Sequence, residues 1–159
     1  MNRMHKVGAV FYLLWGLLHV VAGATLVGSA LTDLDGHLRE IGTGAQAAQL
    51  PAVGGHPVVS AIVAFHSFNM VWIGLLVALI AVRLNWRNAR SGYWLNLALA
   101  GFLDLGLLVF LLVPGTMAWS DGWLGPALFA GGALFSTLGR RRRAAAPARP
   151  ERLQRAGVR

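Results

Sequence analysis

The sequence predicts an all-α integral membrane protein: an up-down bundle of four transmembrane helices with both termini cytoplasmic. Three observations carry this. Apolar residues make up 56% of the 159-residue chain and charged residues 13%, roughly half the charged share of a soluble domain. Four stretches meet or approach the roughly 20 apolar residues that a helix needs to cross a bilayer. Thirteen of the fourteen Lys and Arg side chains fall on one side of the resulting topology.

The first span is "VGAVFYLLWGLLHVVAGATLVGSAL", residues 7–31. A cleaved signal peptide is its other reading, with a basic start and "VGSA" at its end. The apolar run is roughly twice a typical signal-peptide core, so a retained span is expected. An outer loop, residues 32–56, leads to the second span at 57–82, "PVVSAIVAFHSFNMVWIGLLVALIAV". A basic turn at 83–92 leads to the third, 93–113, which Pro114-Gly115 stops. The fourth, about 121–139 and apolar from Trp123, is the shortest. Pro126 is tolerable in its first turn, where amides lack helical partners anyway.

Counting basic residues by side sets the orientation. Arg3 and Lys6, then Arg83, Arg87 and Arg90, then the eight arginines of the tail lie together; only Arg39 lies opposite, with Asp33, Asp35, Glu40 and Asp121. Positive charge stays inside, so both ends are cytoplasmic. Trp86 and Trp94 bracket the inner interface and Trp119 and Trp123 the outer one, where amphipathic rings are favoured. Trp15 and Trp72 lie deeper and are expected to face neighbouring helices. A single lysine against thirteen arginines, with abundant Ala and Gly, suits a GC-rich bacterial genome and hence a bacterial inner membrane. The tail, 140–159, is basic and rich in Ala and Pro. It is expected to be disordered and to lie on anionic lipid headgroups, each nearby Arg contributing about 1 kcal/mol.

Composition also excludes functions. The chain has no cysteine, which rules out disulfides, thiolate metal sites, iron–sulfur clusters and membrane oxidoreductases that work through cysteine pairs. The net charge of +8 sits at the ends of apolar runs, not in a stripe, so no nucleic acid is expected. Asp33, Asp35, His37 and His56 in the outer loop lack the spacing of a calcium loop or zinc helix. They read as a solvated loop with one amphipathic turn.

What stands out is polar chemistry inside the spans. His19 lies about 18 Å from either end of the first span, His66 about 13 Å into the second and Asp104 about 16 Å into the third. All fall near the middle of a hydrocarbon layer about 30 Å thick. Tyr12, Gly16, His19 and Gly23 share a stripe by helical spacing, as do His66 and Asn69; Asn96 and Asp104 sit two turns apart on the third span. Asp at the bilayer centre costs about 2.5–3.5 kcal/mol even on the lenient scale, so Asp104 needs a partner or a proton. His19, His66 and Asp104 are expected to converge, with Asn69 and Asn96 beneath.

Several roles stay open for such a cluster. Interhelical hydrogen-bond glue, as in an accessory subunit of a membrane complex, is the plainest. A pocket for a small hydrophobic molecule such as a lipid or quinone, lined by Trp15, Trp72, Phe65 and Phe68, fits the general make-up of ligand sites; any chemistry there would be proton transfer or isomerisation with His as acid or base. His19 and His66 on adjacent helices meet the minimum for bis-imidazole b-type haem. A proton-coupled carrier would use Asp104 as its titrating group and need a homo-oligomer, with Gly131, Gly132 and Ser136 as a close-packing face.

Overall fold

The computed structural model describes residues 3–42 and 55–144; the rest of the expected outer loop and the tail beyond 144 lie outside the described residues. Among those described, helices dominate and no strand forms, the one bridge joining Gly42 to Met117. The helices are α1 (Met4–Thr32), α2 (Leu34–Ile41), α3 (Pro57–Arg83), α4 (Arg90–Leu107), α5 (Trp119–Gly122) and α6 (Leu124–Ala144). Three segments are long and apolar enough to cross a membrane: Met4–Thr32, Pro57–Arg87 and Arg90–Leu112.

Local chemistry explains most boundaries. The Asp33 side chain accepts from the Gly36 amide at 3.0 Å and so caps α2. With Asp35 in its first turn and Arg39 in its last, α2 suits the helix dipole, and the expected single turn becomes an eight-residue helix with Leu34 buried. Pro57 opens α3 at a position where no amide is needed. After the 3₁₀ turn Asn85–Arg87, Asn88 takes a left-handed conformation (φ 56°) and reverses the chain. The third expected span is not one regular helix. Its last turn, Leu108–Leu112, widens to a π-turn, with the Val113 amide bonded to Leu108 O at 2.9 Å. Thr116 closes that end, its hydroxyl donating to Leu111 O at 2.9 Å and Phe110 O at 3.2 Å. Gly115, at φ +74°, makes the turn that follows.

α1 is the hub: it packs along α3 and α6, and α4 in turn packs on α3 and α6. The α1–α3 contact is set by small residues. A Cβ on Gly16 would lie 2.5 Å from Gly74 O, and one on Gly74 would lie 2.7 Å from Gly16 O. Ala9, Gly16, Gly23 and Ala30 are all buried, spaced by seven residues, or two turns, the period of closely packed left-handed helix pairs. Against α6, the rings of Phe11 and Tyr12 lie on Gly131 and Gly132, and Phe11 stacks on Phe135 with centroids 5.6 Å apart. The glycine pair expected to offer an oligomer face is therefore covered by α1. Tyr12, Trp15, Val77, Ala81 and Ala100 form the core.

Charge segregates along the helices. At one end Lys6 Nζ lies 5.2 Å over the Trp86 ring and the Arg140 guanidinium 4.9 Å over Tyr93. At the other, the Ala118 amide bonds Ile41 O at 3.3 Å, joining acidic α2 to the turn before α5. The basic end corrects one boundary. α6 runs through Arg140–Arg143 to Ala144, so a disordered tail cannot start at 140. Arg and Ala are strong helix formers, and cations suit a helix C-terminus.

Candidate functional site

Among the described residues, a buried polar group in the helix interior is built on α1 and α4. Trp15 and His19 are one turn apart on α1, so both side chains share a face. Their rings stack at 3.6 Å between centroids with 21° between planes, and His19 Nδ1 lies 2.9 Å from Trp15 O. From α4, Asp104 presents its carboxyl to this pair, and the Trp15 indole Nε1–H donates to Asp104 Oδ2 at 2.8 Å. Trp15, His19 and Asp104 are 0%, 7% and 2% exposed.

The third wall is the first turn of α6. A Cβ on Gly125 would lie 3.1 Å from Asp104 Oδ1 and 3.4 Å from His19 Cε1. A residue without a side chain is what lets the carboxyl, the imidazole and the α6 backbone meet. Asp104 Oδ1 has no hydrogen-bond partner. One carboxyl oxygen is thus satisfied by indole and the other faces the Gly125 corner with its acceptor open. An unmet buried acceptor costs about 1–3 kcal/mol, more if charged. The Tyr12 hydroxyl, one turn before Trp15, is also buried without a partner, and its ring lies 6.5 Å from Phe129.

The other expected members do not join this group. His66 is exposed, because α3 turns Ser67 and Gly74 toward α1: a Cβ on Gly23 would meet Ser67 O at 2.8 Å. One residue is about 100° of helical rotation, enough to carry His66 off the interface. Asn69 accepts a 2.8 Å hydrogen bond from Trp72 Nε1, within α3 itself. Trp72 is 43% exposed and Phe65 69%, so Trp72 does not face a neighbouring helix, and Phe65, Phe68 and Trp72 do not line an interior pocket with Trp15. His19 and His66 do not oppose one another across a gap, and the paired imidazoles needed for b-type haem are not brought together. Asn96 is buried, but its Nδ2 donates to Val77 O at 3.3 Å and Asn85 Oδ1 at 3.5 Å. It clasps α4 to the end of α3, two turns from Asp104.

Sequence reasoning missed Gly125 and Asn85 altogether, and it treated Trp15 as pocket lining instead of as the donor to Asp104. Asn85, polar in the "RLNWRN" turn, left a faint signal; Gly125, having no side chain, left none. Comparison with family models, curated proteins and solved structures finds no match for the chain.

Proposed function

We propose that this chain is a small multi-pass protein of the bacterial inner membrane. In this reading four helices form an up-down bundle with both ends cytoplasmic, and the buried Trp15–Asp104–His19 group receives the polar head of a small hydrophobic molecule, such as a lipid or quinone. The observation that carries the site is the open acceptor, Asp104 Oδ1, 2% exposed, unpartnered and beside His19. An unmet carboxyl oxygen is costlier at low dielectric than an unmet amide oxygen such as Asn96 Oδ1, which is also buried without a partner in a residue that clasps two helices. A Cβ at Gly125 would already touch Asp104 Oδ1 at 3.1 Å, so the corner suits a single hydroxyl or N–H donor, as on a lipid headgroup or the reduced, quinol form of a quinone, the rest of the molecule lying along apolar helix surface. The competing reading, a polar lock for helix packing, is favoured by the close Gly16–Gly74 approach.

Insertion in a bilayer is supported by what faces outward. Phe102 is 75% exposed and Phe65 69%, among many large apolar side chains left bare along α1, α3 and α4, the kind of surface that marks a membrane or partner contact. The orientation is supported by the gathering of Lys6, Trp86, Tyr93 and Arg140 at one end, as the positive-inside rule requires. Because the natural chain has no cysteine, single cysteines test it directly. Ser120→Cys should react with an impermeant maleimide from the periplasmic side and Ser91→Cys only after lysis; the reverse pattern refutes the topology.

The site is tested by mass spectrometry of small molecules that copurify with the full chain in mild detergent. A hydroxyl- or amine-bearing amphiphile should be retained by the wild type and lost from Asp104→Asn, which keeps the shape and the acceptor for Trp15. If nothing is retained and Asp104→Asn is as stable as the wild type, the group is a packing lock.

A further inference from the structure

A second site lies at the basic end, away from the interior group. The turn between α3 and α4 and the last turns of α6 border a shallow, open cleft of about 500 Å³, lined by Arg87, Asn88, Ala89, Arg90, Arg140 and Arg143. Four of the six lining residues are arginines. The acidic side chains among the described residues are Asp33, Asp35, Glu40, Asp104 and Asp121; Asp104 lies in the interior group and the others lie toward the opposite end, so none supplies the counter-charge.

The walls are held in register. Tyr93 Oη and Thr137 Oγ1 are hydrogen-bonded at 3.0 Å, tying α4 to α6 just inside the cleft. Arg140 is fixed over the Tyr93 ring, and the left-handed Asn88 sets the path of the turn. The first turn of α4 adds to the positive field: its N-cap is Ala89, with no side-chain cap and no acidic residue in the first turn, so its amides are left for a ligand or solvent. Four arginines and an uncapped helix start, beside a cleft of this size, match a phosphate group and a small attached headgroup.

We infer that the cleft between the α3–α4 turn and the end of α6 is a phosphate-binding site. Its phosphate comes from an anionic phospholipid headgroup or from a soluble phosphate compound. The lipid source rests on the membrane reading above; the phosphate chemistry does not, and neither depends on the interior group.

The test uses the full chain in neutral detergent, titrated with phosphatidylglycerol, phosphatidylcholine or pyrophosphate and read by native mass spectrometry. Arg90→Gln/Arg143→Gln removes two cleft guanidiniums, both on exposed residues. Arg141→Gln/Arg142→Gln removes the same charge outside the cleft. Loss of two charge-assisted contacts should weaken binding about tenfold or more in the first pair, with little change in the second. If the first pair misfolds, Arg87→Gln/Arg143→Gln replaces it with the same expectation. Phosphatidylglycerol bound with this dependence identifies a lipid headgroup; pyrophosphate bound with it, while phosphatidylglycerol is not, identifies a soluble phosphate. Equal weakening by the cleft and control pairs overturns the site, as does binding of neither anion above phosphatidylcholine.

Discussion

Two regions of the molecule carry nearly the same local chemistry and meet opposite fates. On α1, Trp15 and His19 stand one turn apart; on α3, His66, Asn69 and Trp72 stand at spacings of three. Each puts an imidazole and an indole within a long apolar helix. The α1 set is buried, its indole spent on Asp104 of another helix. The α3 set looks outward, its indole spent on Asn69 of its own helix. Residue type does not separate them; helical phase relative to the glycines does. Gly16 and Gly23 lie on the α1 face that α3 approaches, and Trp15 and His19 flank that face. On α3 the close approach is at Ser67 and Gly74, which leaves His66 and Trp72 to the side.

If glycine phase decides the outcome, Gly16→Leu should break the comparison most severely. The new side chain meets the Gly74 carbonyl, and separating α1 from α3 should cost several kcal/mol, about 3 or more, in line with severe overpacking. Thermal unfolding in detergent, followed by far-UV circular dichroism, would show it; Gly28→Leu, where nothing lies within 4 Å, is the matched control. Equal effects at the two positions would mean that the close approach is not what orders α1.

Removing the interior polar contact should come next. Asp104→Ala leaves the buried Trp15 N–H unmet and opens a small void, about 2–4 kcal/mol. Trp15→Phe removes the indole donor to the carboxyl and should lower stability by about 1–3 kcal/mol. An unchanged unfolding midpoint in both would show that the indole–carboxyl bond holds nothing together.

The smallest effect is expected on the outward set. His66→Ala, at an exposed site, and Asn69→Ala, at a half-buried one whose side chain bonds within its own helix, should each shift stability by about 0.5 kcal/mol or less. A nitroxide on His66→Cys should be mobile and oxygen-accessible in a lipid nanodisc, and one on His19→Cys immobile and shielded. An immobile label at 66 would return His66 to an interface.

The helical class and the positions of the apolar segments were legible because bilayer-length hydrophobic runs need no knowledge of neighbours. The stripe of Tyr12, Gly16, His19 and Gly23 was legible for a related reason: spacing along one helix sets which residues share a face. All four are buried. The widened turn at Leu108–Leu112 was not, since its residues are the same Leu, Val and Phe that build regular helix elsewhere.

By itself, then, the sequence determined quantities that are sums along the chain: how much apolar surface there is, where it runs, which end carries the arginines, and which groups on one helix share a face. Only the tertiary structure decided which face of each helix meets which neighbour. That choice depends on backbone approaches at Gly16, Gly74 and Gly125, where the deciding feature is a side chain that is not there. It excluded His66, enlisted Trp15 and left one oxygen of Asp104 open, because rotating a helix by a single residue moves a side chain about 100° around its axis.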